Sequence, residues 1–80
     1  MDTTVERIIE LLAETISEDA SHLHERSALT PEAGVEPIDL AKLVIDCEKA
    51  FTIQIHDEDV HTFRDVWTLA EYITAALDDI

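Results

Sequence analysis

The spacing of apolar and polar positions divides the 80-residue chain into helical stretches and irregular ones. Val5, Ile8, Ile9, Leu12 and Ile16 recur every three or four residues, which places them on one stripe of an amphipathic helix; Leu11 widens it. Thr3 and Glu6 stand at capping-box spacing, so the pattern predicts a helix from about residue 4 to residue 16. A second helix is predicted from Pro37 to about Ala50, with Leu40, Ala41, Leu43, Val44 and Cys47, then Phe51, feeding the core. Ile38 and Ile45 fall nearer the opposite rim. Asp39, Lys42, Asp46 and Lys49 follow one another at three or four residues, which brings opposite charges within reach along an exposed face. Val66, Leu69, Ala70, Ile73, Ala76 and Leu77 predict a last helix ending near Leu77, with Asp65 as its N-cap.

The periodicity fades from Ser17 to Glu36, where Ser, Asp, His, Thr, Pro and the only glycine accumulate. This reads as a long structured loop anchored by Leu23, Ala28 and Leu29. Phe51, Ile53 and Ile55 alternate, but no partner run exists elsewhere, so they predict an extended linker with inward side chains. Asp57 to His61 suits a single helical turn, its acids favourable at the N-terminal end. The whole predicts an all-α single domain over residues 1–80. Its architecture is a small four-helix bundle of three long helices and a short third one, with a long loop between the first two.

Composition narrows the functional classes. Hydrophobic residues make up 46% of the chain and mean hydropathy is near zero, which is globular and excludes the apolar-poor profile of disorder. Nineteen Asp and Glu against five Lys and Arg give a formal charge of −14, which repels phosphate backbones and anionic lipid. The expected partners are therefore proteins with basic patches, with no nucleic acid and no membrane. A lone cysteine forms no internal disulfide, and neither a signal-like segment nor an apolar run of membrane length is visible. The expectation is a cytoplasmic monomer.

Candidate chemistry is sparse. Carboxylates abound but have no nucleophile, glycine-rich phosphate loop or triad to work with, so the chain is not expected to be an enzyme. Cys47, on an apolar face, reads as a small buried hydrophobe in preference to a reactive thiol. His22, His24, His56 and His61 have Asp57 and Asp59 nearby but lack zinc-motif spacing, so no metal is expected. Trp67 lies off the main stripe and is read as a rim residue covering the core, ahead of an exposed binding anchor.

One segment carries more information than the rest. Gly34-Val35-Glu36-Pro37-Ile38-Asp39-Leu40 is followed in order by Leu43-Val44-Ile45, Glu48-x-x-Phe51, Ile55-x-Asp57-Glu58 and Val66-x-x-Leu69-x-x-Tyr72-Ile73. With these motifs the chain resembles the acyl carrier protein family over almost its whole length, without insertions. The family's prosthetic-group turn reads Gly-x-Asp-Ser-Leu. The resemblance implies a bundle that shelters an acyl chain, a serine at the start of helix two esterified to 4'-phosphopantetheine, and a helix two that faces basic partner surfaces.

At those positions this chain has Glu36 for the aspartate, Pro37 for the serine and Ile38 for the leucine. Lys42 and Lys49 stand where many family members have acids. Proline supplies no hydroxyl, yet its fixed φ and missing N–H suit the first position of a helix. The expectation is a retained scaffold that has lost its covalent handle and carries no phosphopantetheine. Such a module of fatty acid, polyketide or related biosynthesis would act by binding biosynthetic enzymes through Glu36, Ile38, Asp39, Lys42, Ile45, Asp46 and Glu48. Two alternatives stand beside it: a working carrier with an unusual attachment residue such as Ser27 or Thr30, and an acidic mimic that occupies a basic surface on another protein.

Overall fold

A computed structural model describes residues 2–78. Three α-helices, α1 (Asp2–Ile16), α2 (Pro37–Phe51) and α3 (Val66–Asp78), form the body of the fold. A 3₁₀ helix at Asp57–Thr62 supplies the short third helix between α2 and α3, and two further 3₁₀ turns, Ala20–His22 and Pro31–Ala33, lie in the first loop. Among the described residues there is no strand, only an isolated antiparallel bridge between Ala28 and Asp65. The all-α bundle is the architecture that the helical periodicities require.

α1 packs against both α2 and α3 because its apolar face is wide. Val5, Ile8, Leu11, Leu12 and Ala13 are all buried on it. They meet Leu43, Val44 and Cys47 from α2 and Val66, Leu69, Ala70 and Ile73 from α3. Leu29 and Val35 from the first loop, Ile55 from the linker and Phe63 close this core at its edges. Ile8, Leu12, Leu43, Val66, Leu69 and Ile73 are completely enclosed, and each such side chain contributes about 1.5–3 kcal/mol of transfer free energy.

Two details of the helix reading change. α1 is already helical at Asp2, so Thr3 lies inside it and is not the N-cap; Asp2 instead places an acid in the first turn, where the free amides favour it. Ala41 is exposed, not part of the core. It lies about 100° round the helix from Leu40, on the side away from Leu43 and Cys47. Asp65 does cap α3: its Oδ1 accepts the Thr68 amide at 2.8 Å, and Thr68 Oγ1 accepts the Asp65 amide at 3.1 Å.

Both α1 and α2 end on a non-glycine residue in the left-handed region, Ser17 with φ 57° and Thr52 with φ 55°. The amide after each reaches back to a helix carbonyl, Glu18 to Ala13 at 3.0 Å and Ile53 to Glu48 at 3.1 Å. The long first loop is held because it pairs with the start of α3. Leu29 donates to the Arg64 carbonyl at 2.9 Å, Val66 to Ser27 at 3.1 Å and Trp67 to Glu25 at 2.9 Å. Trp67 is half-buried against the core, with the Arg26 guanidinium 5.7 Å above its ring, which fits its reading as a rim residue.

Candidate functional site

The turn into α2 is built from the loop side. Thr30 precedes the Pro31–Ala33 turn; the Gly34 amide returns to the Pro31 carbonyl and the Val35 amide to the Thr30 carbonyl, both at 3.0 Å. Gly34 has φ 88°, a left-handed conformation that glycine adopts without a Cβ penalty. That reversal sends Val35 into the core, where it is almost fully buried, and leaves Glu36 extended at the N-cap. Pro37 then opens the helix. Its missing N–H is one that would have had no intrahelical acceptor.

Asp39 completes the helix start from within. Its Oδ2 accepts the Glu36 amide at 3.1 Å, the reach-back half of a capping box, and its charge lies in the first turn. Pro37 and Ile38 are exposed, Ile38 at 78%. The first residue of α2 is thus presented to solvent at the end of a rigid turn, with no side-chain hydroxyl.

Further along α2 the candidate residues separate into two groups. Ile38, Lys42, Ile45 and Lys49 are all exposed and succeed one another at four, three and four residues, so they share the outward ridge. Ile38 and Ile45 are the large hydrophobic residues that the described part of the chain leaves exposed. The acids sit lower and are engaged. Lys42 Nζ holds Asp46 Oδ2 at 2.8 Å, a contact that raises the lysine pKa, and Glu48 Oε2 accepts the buried Ile55 amide at 2.8 Å. Glu48 also takes the Thr52 and Ile53 amides on its main-chain oxygen, so it fastens the linker after α2 to the helix. From sequence Glu48 reads only as a charge contact on α2; its carboxylate acquires this role because the linker folds back across it.

Arg7 was not anticipated. It projects from α1 into a cleft of about 330 Å³ shared with Leu11, Glu14, Lys42, Asp46, Lys49 and Ala50. A second cleft, of about 230 Å³, lies between the end of α1 and the first loop, floored by Leu12, Ile16, Leu23 and Val35. At its mouth His22 Nδ1 meets Glu18 Oε1 at 2.9 Å, and this hydrogen bond holds the Glu18 carboxyl below its usual range.

The other chemistry-bearing residues are dispersed. Among the described residues no three His, Cys, Asp or Glu side chains converge as metal ligands would. His24 Nδ1 accepts the Arg26 amide, and the Tyr72 hydroxyl accepts the His56 amide and donates to Asp59 Oδ2 at 2.9 Å. Cys47 is completely enclosed, and burial pushes its thiol up to about 12, so it is inert as a nucleophile at neutral pH. Ser27 Oγ accepts the His24 amide at 2.9 Å, well before the start of α2. No helix among the described residues is long and apolar enough to cross a membrane.

Comparison with known proteins adds two findings. Residues 6–73 match the family model described as a phosphopantetheine attachment site. The chain is also similar to an acyl carrier protein of Phytoplasma mali (strain AT), with 31% identity over 74 residues, spanning 92% of this chain and 88% of the relative.

Proposed function

The chain belongs to the acyl carrier protein family, and on that premise we propose that it is a single-domain interaction module of fatty acid, polyketide or related biosynthesis that does not itself carry phosphopantetheine. Proteins of this family are in general non-catalytic carriers that work with biosynthetic enzymes. The observation that carries the proposal is Pro37, exposed at the first position of α2 where the resemblance puts the attachment serine. The turn around it is intact, from Gly34 through the Glu36–Asp39 contact. Linking phosphopantetheine needs a side-chain oxygen at that point, and proline has none. The residues present do not fit the family cofactor.

The scaffold then acts as a binding surface and not as a carrier or an enzyme. Its docking face is α2 with the loop before it: Ile38 and Ile45 supply apolar contact, and Glu36, Asp39, Lys42 and Asp46 the charges around them, whereas Glu48, expected from sequence to join them, has its carboxylate turned to the Ile55 amide. Basic groups on a partner enzyme meet the acids Glu36 and Asp39 at the start of the helix, next to its exposed N-terminal turn. The module works as a monomer in the cytoplasm.

The decisive experiment is intact-mass spectrometry after incubation with coenzyme A and a broad-specificity phosphopantetheinyl transferase. The expected result is an unchanged mass beside full conversion of an ordinary carrier protein. Stoichiometric addition of the cofactor to this chain would overturn the proposal.

A further inference from the structure

The cleft between the end of α1 and the first loop reaches the core at its floor and carries a carboxylate at its mouth, and we propose that it binds a small primary amine with an apolar body, the size of an arylethylamine. This site is separate from the α2 docking face. It does not depend on whether the chain carries phosphopantetheine.

The volume sets the size of the occupant. The cleft holds about 230 Å³, and an apolar cavity of about 150 Å³ takes a benzene ring, so this one takes about nine non-hydrogen atoms. Leu12 is completely enclosed and Val35 nearly so, which makes the floor part of the hydrophobic core itself. Ile16 and Leu23 also line the cleft and are only partly buried. An apolar body laid against them removes exposed apolar surface from water without opening the core.

Backbone hydrogen bonds hold the two sides in place. After the left-handed turn at Ser17, the Glu18 amide bonds the Ala13 carbonyl at 3.0 Å, and the Asp19 carboxylate caps the turn that carries His22 by accepting the Ser21 amide at 2.9 Å. On the loop side, the Ala33 and Val35 amides both return to the Thr30 carbonyl, at 2.9 and 3.0 Å. A site fixed in this way needs little ordering when a ligand enters.

Charge sets the head group. Of the polar residues at the cleft, Ser27 Oγ accepts the His24 amide and His22 Nδ1 is turned to Glu18. Glu18 Oε1 accepts from His22 Nδ1 at 2.9 Å and from the Asp19 amide at 3.1 Å, which keeps the carboxyl ionised at neutral pH. A neutral imidazole donates to that carboxylate without cancelling its charge, and no lysine or arginine lines the cleft. An ammonium group supplies the missing cation. A carboxylate head would instead meet Glu18 with Asp19 beside it, on a chain of net charge −14, and a hydroxyl head would leave the charge unanswered.

The test uses the intact chain, ¹⁵N-labelled, at pH 8, where histidine is ordinarily neutral, with phenethylamine, 2-phenylethanol and phenylacetate as probes. Phenethylamine is expected to shift the amide resonances of Ile16, Leu23 and Val35 and to bind about two- to fivefold more tightly than the alcohol, the scale of one exposed ion pair, with phenylacetate weakest. Glu18→Gln should abolish the advantage of the amine over the alcohol and leave the alcohol's own affinity unchanged. Ala33→Phe, at an exposed position on the rim, should fill the cleft and weaken both probes by about tenfold or more. Phenylacetate binding as tightly as the amine, an amine advantage that survives Glu18→Gln, or amine binding untouched by Ala33→Phe would overturn the inference. So would the absence of any shift at the cleft with phenethylamine on the order of 10 mM.

Discussion

Replacing Pro37 with serine probes the proposed loss of the covalent handle most directly, because the structure separates what the proline does for stability from what it denies to chemistry. Pro37 is exposed, so Pro37→Ser removes no buried contact. The restored N–H sits in the first turn and is met by water, and the Asp39 contact to the Glu36 amide at 3.1 Å is untouched. What is lost is the restriction that proline imposes on the unfolded chain, worth about 0.4–1 kcal/mol. For a domain of this size that corresponds to a fall in Tm of about 2–8 °C. The gain is an exposed hydroxyl at the first residue of α2, on a turn whose geometry is already set by Gly34 and Val35.

Thermal unfolding followed by circular dichroism reads the first quantity, and intact mass after incubation with coenzyme A and the transferase reads the second. Pro37→Ser is expected to melt slightly lower and to acquire one phosphopantetheine, while the unaltered chain acquires none. A loss of stability above about 2 kcal/mol would show that Pro37 is more than a first-turn residue. A correctly folded Pro37→Ser that stays unmodified would refute the claim that only the hydroxyl is missing.

Three further outcomes are expected. Glu48→Ala strands the buried Ile55 amide that now donates at 2.8 Å to a carboxylate, so urea unfolding should show a loss of about 1.5–3 kcal/mol, with Glu48→Gln recovering part of it. Thr52→Gly should stabilise the fold by about 0.5–1 kcal/mol in the same assay, because a β-branched residue at φ 55° is strained and glycine is not; a destabilised variant would contradict this. Cys47 should resist alkylation in the native protein at pH 8 and react fully in denaturant. With its native thiol near 12 against an ordinary 9.0, the folded state holds a proton that the unfolded state releases, so this group's contribution makes stability fall as pH rises from 9.0 towards 12. Native-state labelling as fast as that of the unfolded chain would contradict the enclosure of the thiol.

The helices were legible in the sequence because a repeat of three and four residues has few physical alternatives. α2 starts at Pro37 as its chemistry requires, and Asp65 caps α3 through Thr68 as the residue types allow. The resemblance reached the family for a related reason: the turn at Gly34 to Leu40 and the motifs after it are local, ordered and separated by fixed distances. The helix ends were legible to within a residue, at Ile16, Phe51 and Asp78, but the conformation that closes the first two was not. α1 and α2 stop on Ser17 and Thr52, residues that do not announce a left-handed cap, while the single glycine is used in the loop.

What the chain determined by itself was the set of helices, their apolar stripes, the charge of −14 and the absence of a hydroxyl at Pro37. Tertiary structure decided which surface residues remain available. Glu48 turned to the Ile55 amide only because the linker crosses it, and Arg7 joined Lys42 and Lys49 only because α1 packs beside α2. Periodicity assigns a residue to a face of its own helix. It carries no information about what a distant segment lays across that face, and in this protein that packing leaves two isoleucines and two lysines on the outward ridge of α2.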